Sequence, residues 1–197
     1  MFVGLNFING SFCWHRPDIQ RNLGIFPLSN LKEINEAVDS SKKLIANESI
    51  SYLDRYYLLM GTIYFLEDHR QEIAENLSNE LAVNFDYVDE QLKVSLQQSK
   101  SIVSRNLNKS AQITGLVTCL KHGIEPLITG LFRGLTSGCV IWFPTDDNCI
   151  TSQVIVNLLQ DSPLARFPGI LQLLHGDRHM IQNVLFRQDI EAFIVNL

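Results

Sequence analysis

The sequence predicts an α/β protein in which a hairpin and a helical layer precede a parallel sheet of about four strands. Three observations carry that prediction. Asn9-Gly10 sits between the β-forming residues of "FINGSFC". Apolar residues then recur at helical spacing from Leu31 to about residue 105. After Asn108–Ser110, short apolar runs alternate with helical stretches to the end of the sequence. The run "GCVIWFPTDD", residues 138–147, is the clearest: Gly138 opens it, Val140 to Phe143 fill it, and Pro144 to Asp147 close it. That is the profile of a parallel strand buried on both faces and ending in a turn.

Each element has its own justification. Asn9-Gly10 is a strong two-residue hairpin turn. Ser29 or Asn30 can cap a first helix, with Glu33 spaced for a capping box from Asn30, and Leu31, Ile34, Ala37, Val38, Leu44 and Ile45 follow the helical period. Ser51–Glu80 carries a longer helical pattern through Leu53, Tyr56, Tyr57, Met60, Ile63, Tyr64, Leu66, Ile73 and Leu77, which Gly61 or the polar stretch Glu67–Gln71 can kink or split. Asp86–Arg105 is amphipathic, with Val88, Leu92, Leu96 and Val103 inward. Ile113–Leu120 then reads as a strand, and Ile124–Leu135 as a helix that tolerates Pro126 in its first turn. Cys139–Phe143 reads as a strand and Ile150–Gln160 as a helix, with Thr145 or Asp146 as its cap. Ile170–Leu174 is a strand after Pro168-Gly169, His179–Phe186 a short helix and Ile190–Val195 a fourth strand. The alternation implies right-handed crossovers. One domain over 1–197 is expected, with 1–110 as hairpin and helical layer and 111–197 as the strand–helix part.

Composition narrows the function classes. Of 197 residues, 46% are apolar and 19% charged, which supports a proper core. A net charge of −5 argues against a nucleic-acid surface. No apolar run reaches the roughly 18 residues of a membrane span. The start, "MFVGLNFINGSFCWHR", has neither the basic and apolar regions of a secretory signal nor the Arg- and Ser-rich character of a transit peptide. Cys13, Cys119, Cys139 and Cys149 form no C-x-x-C pair, and Cys119 and Cys139 sit in apolar runs as small core residues. The expected setting is intracellular and reduced, with no choice between cytoplasm and mitochondrion.

In order along the chain, "INGSF", "PLSNLKEINEAVDSSKKLI", "DRYYLLMGTIYFLEDHRQEIAENLSNE", "GLVTCLKHGIEPL", "GLTSGCVIWFPTDD" and "PGILQLLHGDRHMIQNVLFRQDIEAFIVNL" resemble successive segments of the amino-terminal half of aldehyde dehydrogenases. The fourth is similar to the family's G-V-x-x-x-I-x-P-x-N-F-P. The fifth is similar to A-L-A-x-G-N-T-x-V-x-K-P-S-E, with one residue fewer. The sixth is similar to P-G-V-x-N-V-V-H-G followed by a helix and a strand. Its "HGD…NV…DIEAF" wording looks most like methylmalonate-semialdehyde dehydrogenases. The resemblance implies a truncated Rossmann-like NAD-binding domain. It also implies that the family's catalytic cysteine and glutamate lie beyond Leu197, and no cysteine here aligns with that nucleophile.

The departures from the family pattern fall on its ligand positions. The asparagine that serves as an oxyanion donor is matched by Ile124, which cannot donate. The lysine and glutamate that hold the adenine ribose are matched by Phe143 and Asp146, around a retained Pro144 and Thr145, and Asp147 adds a second negative charge. Where the family continues its last strand into a glycine that lets the cofactor approach, this sequence has Leu197. The cofactor-facing positions that the resemblance implies are thus Lys121, Gly123, Phe143, Asp146 and Asp147.

His122 stands at a strand end, and a loop-edge histidine is the plainer account. His175-Gly176-Asp177 with His179 could suggest a metal, but the family wording makes His175-Gly176 ordinary loop residues. Asp146-Asp147 fits helix capping better than paired acid–base chemistry. The expectation is a catalytically inactive aldehyde-dehydrogenase-like protein that acts through protein–protein contacts, with no cofactor, or NAD if any. It is expected to form a homo-oligomer or bind a protein partner along the apolar edge Ile190–Asn196, with no nucleic acid or membrane. The alternatives are a module with residual NAD affinity, or the NAD-binding part of a semialdehyde dehydrogenase whose catalytic domain is lost or supplied by another chain.

Overall fold

A computed structural model describes residues 2–14, 18–21, 24–47, 50–106, 112–118, 124–144, 148–188 and 191–195; for 18–21, 112–118 and 191–195 it is the backbone that is described. The elements run β1 (Phe2–Val3), β2 (Asn6–Ile8), β3 (Ser11–Cys13), β4 (Asp18–Arg21), β5 (Gly24–Pro27), α1 (Leu31–Asn47), α2 (Tyr52–Asp68), α3 (Arg70–Leu81) and α4 (Phe85–Asn106). There follow β6 (Gln112–Thr118), α5 (Ile124–Ser137), β7 (Gly138–Pro144), α6 (Cys149–Leu159), β8 (Leu171–Leu173), α7 (Arg178–Phe186) and β9 (Glu191–Val195).

The main sheet has six strands in the order β3-β2-β8-β7-β6-β9, and β1, β5 and β4 form a separate three-stranded sheet. The four-stranded expectation describes only the parallel part, because β2 also pairs with β8 antiparallel, Phe7 opposite Leu173. Asn9 and Gly10 turn that hairpin with φ of 49° and 75°, the left-handed pair that matches strand twist.

Alternation along β7 shows why the sheet is double-faced. Val140 and Trp142 belong to one apolar cluster, with Leu59, Ile63, Leu92, Leu131 and Ile155 of α2 and α4–α6. Ile141 and Phe143 belong to the other, with Ile34, Ala37 and Val38 of α1 and Ile181 and Leu185 of α7. The chain steps outward from β6 to β7 to β8, then crosses back so that β9 lies on the far side of β6. That reversal is a topological switch point, and the crevice beyond the carboxyl ends of β6 and β9 is where such sheets bind ligands.

The helical layer corrects some details. The Ser51–Glu80 pattern breaks at His69, inside Glu67–Gln71, and not at Gly61. The His69 ring packs on Phe65 at 4.3 Å, and its backbone N–H donates to the Phe65 carbonyl as α2 ends. Leu31, Leu53, Tyr57 and Tyr64 follow the apolar period yet are exposed. In α2, apolar residues fill most of the circumference, so period alone does not select the inner face. The Lys100 ammonium covers part of Tyr64, 4.6 Å from its ring centre. The cap of α6 is Asn148, neither Thr145 nor Asp146, because β7 runs on through Pro144 and moves the turn along the chain.

One buried polar knot ties the amino-terminal strands to the parallel sheet. Asn6, fully buried, accepts at Oδ1 from the Ser29 hydroxyl (3.1 Å) and the His175 backbone N–H (2.8 Å). Its Nδ2 donates to Glu33 Oε1 at 3.0 Å. Glu33 in turn closes the expected capping box: Asn30 N–H donates to its Oε2 (2.9 Å), and its own N–H donates to Asn30 Oδ1 (3.1 Å). On the other side, Gln153 Oε1 accepts the Leu5 N–H at 2.8 Å, which fixes the amide orientation. His175 Nε2, 3.1 Å from that same oxygen, is therefore its second donor.

Replacing Asn6 with leucine keeps the volume and strips partners from a buried carboxylate and a buried N–H. Asn6→Leu should lower unfolding free energy by about 3 kcal/mol, measured by urea denaturation; a loss under about 0.5 kcal/mol, the size of a surface effect, would show that the knot is not structural.

Candidate functional site

The switch point lies at the carboxyl ends of β6 and β9; among the described residues near it, Phe143 and Pro144 end the neighbouring strand β7, and Ile124 opens α5, the helix that follows β6. Lys121, His122, Gly123, Thr145, Asp146, Asp147, Leu197 and Cys119 lie outside the described residues. Of the five cofactor-facing candidates, Phe143 is the one described. It is 3% exposed and sits in the apolar cluster with Ile34, Val38, Ile181 and Leu185. Its ring belongs to the packing between the sheet and the α1–α7 layer. Ile124 is 6% exposed and packs in the opposite cluster.

The His175–His179 stretch is a structural corner. His175 is fully buried between the Gln153 amide and the Phe26 ring, 4.8 Å away centre to centre. Asp177 caps α7 by accepting the Met180 N–H at 2.8 Å. His179 is exposed. Among the described residues, no three His, Cys, Asp or Glu side chains gather as a metal site. The sequence marked His175 as a loop residue but missed its partner Gln153, which the helical period of α6 treats as one more interior position. Elsewhere, among the described residues, lie an open groove along α1 and a pocket beside the Asn9-Gly10 turn at the amino-terminal end of β8.

The described cysteines are poor nucleophiles. Cys139 and Cys149 are 2% and 1% exposed. Burial pushes the Cys139 thiol from 9.0 up to about 12, against the opposing pull of the Arg55 guanidinium. Burial first, then the negative charges of Glu33 and Glu36, push Cys13 from 9.0 up to about 11. An acid whose pKa is raised by folding stabilises the fold while it stays protonated. That contribution is complete below about pH 9 and is lost as pH rises toward 11 and 12. Urea midpoints should therefore decline above about pH 9, and Cys13→Ser combined with Cys139→Ala should flatten the decline. An unchanged slope in the double variant would assign the alkaline limb to other groups.

No protein-family model matches the chain, and no curated protein matches its sequence. Solved structures do match its fold. The NADP-dependent glyceraldehyde-3-phosphate dehydrogenase of Bacillus halodurans, solved with NADP, superimposes with a TM-score of 0.74 at 17% identity, over 96% of this chain and 47% of that one. A variant of the Thermus thermophilus 1-pyrroline-5-carboxylate dehydrogenase gives 0.76 at 13% identity, over 93% and 41%. The salicylaldehyde dehydrogenase of Pseudomonas putida gives 0.75 at 12% identity, over 98% and 46%. These neighbours fall in several branches of the aldehyde dehydrogenases and do not single out the methylmalonate-semialdehyde type. The chain spans about half the length of the solved chains it matches, and it has the α/β fold of that half.

Proposed function

We propose that these residues form an aldehyde-dehydrogenase-fold module that does not use a nicotinamide cofactor and acts by binding other protein chains. The observation that carries this reading is the burial of Phe143. At the position that the sequence resemblance equates with a ribose-holding lysine, the chain has an aromatic ring packed among Ile34, Ala37, Val38, Ile181 and Leu185. A phenyl ring offers no hydrogen bond to a ribose, and the space around it is filled by core. Ile124, matched to the oxyanion donor, is likewise apolar and buried. At these two positions the residues do not fit the cofactor. Among the described residues β9 is an edge strand, and this supports the binding role. It pairs with β6 along one side, and its sequence EAFIV has one charge and no proline to discourage a further strand.

A second reading rests on the strand order, which keeps a switch-point crevice between β6 and β9. On that reading the chain is the NAD-binding part of a semialdehyde dehydrogenase, methylmalonate-type by its wording, completed by a catalytic domain elsewhere.

Titration with NAD, read by Trp142 fluorescence and by calorimetry, separates the two. The proposal expects a dissociation constant weaker than about 1 mM and no aldehyde oxidation; low-micromolar binding would favour the second reading. Replacing Ile194 with lysine should weaken self-association or partner capture in light scattering, while a wild-type chain that stays monomeric and binds no partner would remove the binding role.

A further inference from the structure

The pocket at the opposite end of the sheet from the switch-point crevice has a character of its own. Its volume is about 270 Å³. Phe7, Leu159, Leu164, Phe167, Ile170 and Leu171 supply its apolar walls, where the β2–β3 turn meets the stretch between α6 and β8. Among the described residues, no Asp, Glu, Lys, Arg or His lines it.

Several polar groups around it are paired within the chain. Phe167 N–H donates to the Leu164 carbonyl and Ile170 N–H to the Phe167 carbonyl, both at 3.0 Å. The Gly169 carbonyl accepts the Ser41 hydroxyl at 2.7 Å, and Asn9 N–H donates to Gln172 Oε1 at 2.8 Å. Asn9 Oδ1 is taken by the Ser40 hydroxyl at 2.8 Å. Gly169 holds this wall in place at φ +96°, where a Cβ would lie 2.8 Å from Ser40 Oγ. A wall built largely of apolar side chains, with these polar groups already paired, penalises a charge in an occupant. Ser11 and Gln160 are exposed members of the lining, and they offer a hydroxyl and an amide to one end of a ligand.

We propose that this pocket is a binding site for a small uncharged molecule with a flat apolar body and one hydrogen-bonding end. Size supports the class. An apolar cavity of about 150 Å³ already takes up benzene, and sites for larger organic ligands begin at about 300 Å³. The volume here suits a one- or two-ring molecule of about ten non-hydrogen atoms. The site shares no described residue with the switch-point crevice, so it stands or falls independently of cofactor use.

Indole and its charged relative indole-3-acetate are suitable probes, titrated into the intact chain by calorimetry and by two-dimensional NMR. Saturable indole binding is expected, with shifts centred on residues 7–11 and 159–171. Indole-3-acetate should bind at least about tenfold more weakly, a difference of about 1.4 kcal/mol. Ala165→Trp, which places a ring at the exposed part of the lining, should reduce indole affinity at least about tenfold with an unchanged circular dichroism spectrum. If that variant fails to fold, Leu164→Ala enlarges the pocket and should improve binding of 2-naphthol relative to indole. Absence of saturable indole binding, shifts centred elsewhere, or equal binding of the charged probe would overturn the assignment.

Discussion

The hydrogen bonds of Asn6 are the constraint on which the architecture depends. One amide side chain on β2 joins the Ser29 entry to α1, the Glu33 carboxylate within α1, and the corner after β8. All of these groups are buried, so each would carry a desolvation cost without its partner. Satisfied together, they fix where the amino-terminal hairpin joins the sheet. They also set the position of α1, which delivers Ile34, Ala37 and Val38 onto the sheet face carrying Ile141 and Phe143.

That placement has a functional consequence. The carboxyl end of β7 lies against the face covered by α1 and α7. With Phe143 it is core. The strand order still reverses between β6 and β9, because topology fixes that switch point and not side chains. The fold shared with about half of the solved aldehyde dehydrogenase chains thus has, at this strand end, an aromatic ring packed in the core.

Much of this was legible in the sequence. Asn9-Gly10, the Asn30–Glu33 capping box and the β-α alternation after residue 110 depend on local chemistry, and the structure shows each. The union of the hairpin with the parallel sheet was not legible, because the pairing of Phe7 with Leu173 spans most of the chain and leaves no local mark. Gln153 and His175 were unreadable as partners for the same reason, with 22 residues between them. The outer face of α2 escaped because Leu53, Tyr57 and Tyr64 obey the same period as buried neighbours. At the site, residue type sufficed for Ile124 and Phe143, whereas the pocket at the amino-terminal end of β8 is assembled from segments that look like ordinary turn and core.

The central claim is that Phe143 belongs to the core and not to a cofactor surface. Urea denaturation of Phe143→Lys against the wild-type chain tests it most directly. Burying an ammonium among Ile34, Val38, Ile181 and Leu185 in place of a ring should lower unfolding free energy by about 3 kcal/mol or more. A variant within about 0.5 kcal/mol of wild type that also gains micromolar affinity for NAD would contradict the account, since the side chain would then be free to face a ribose.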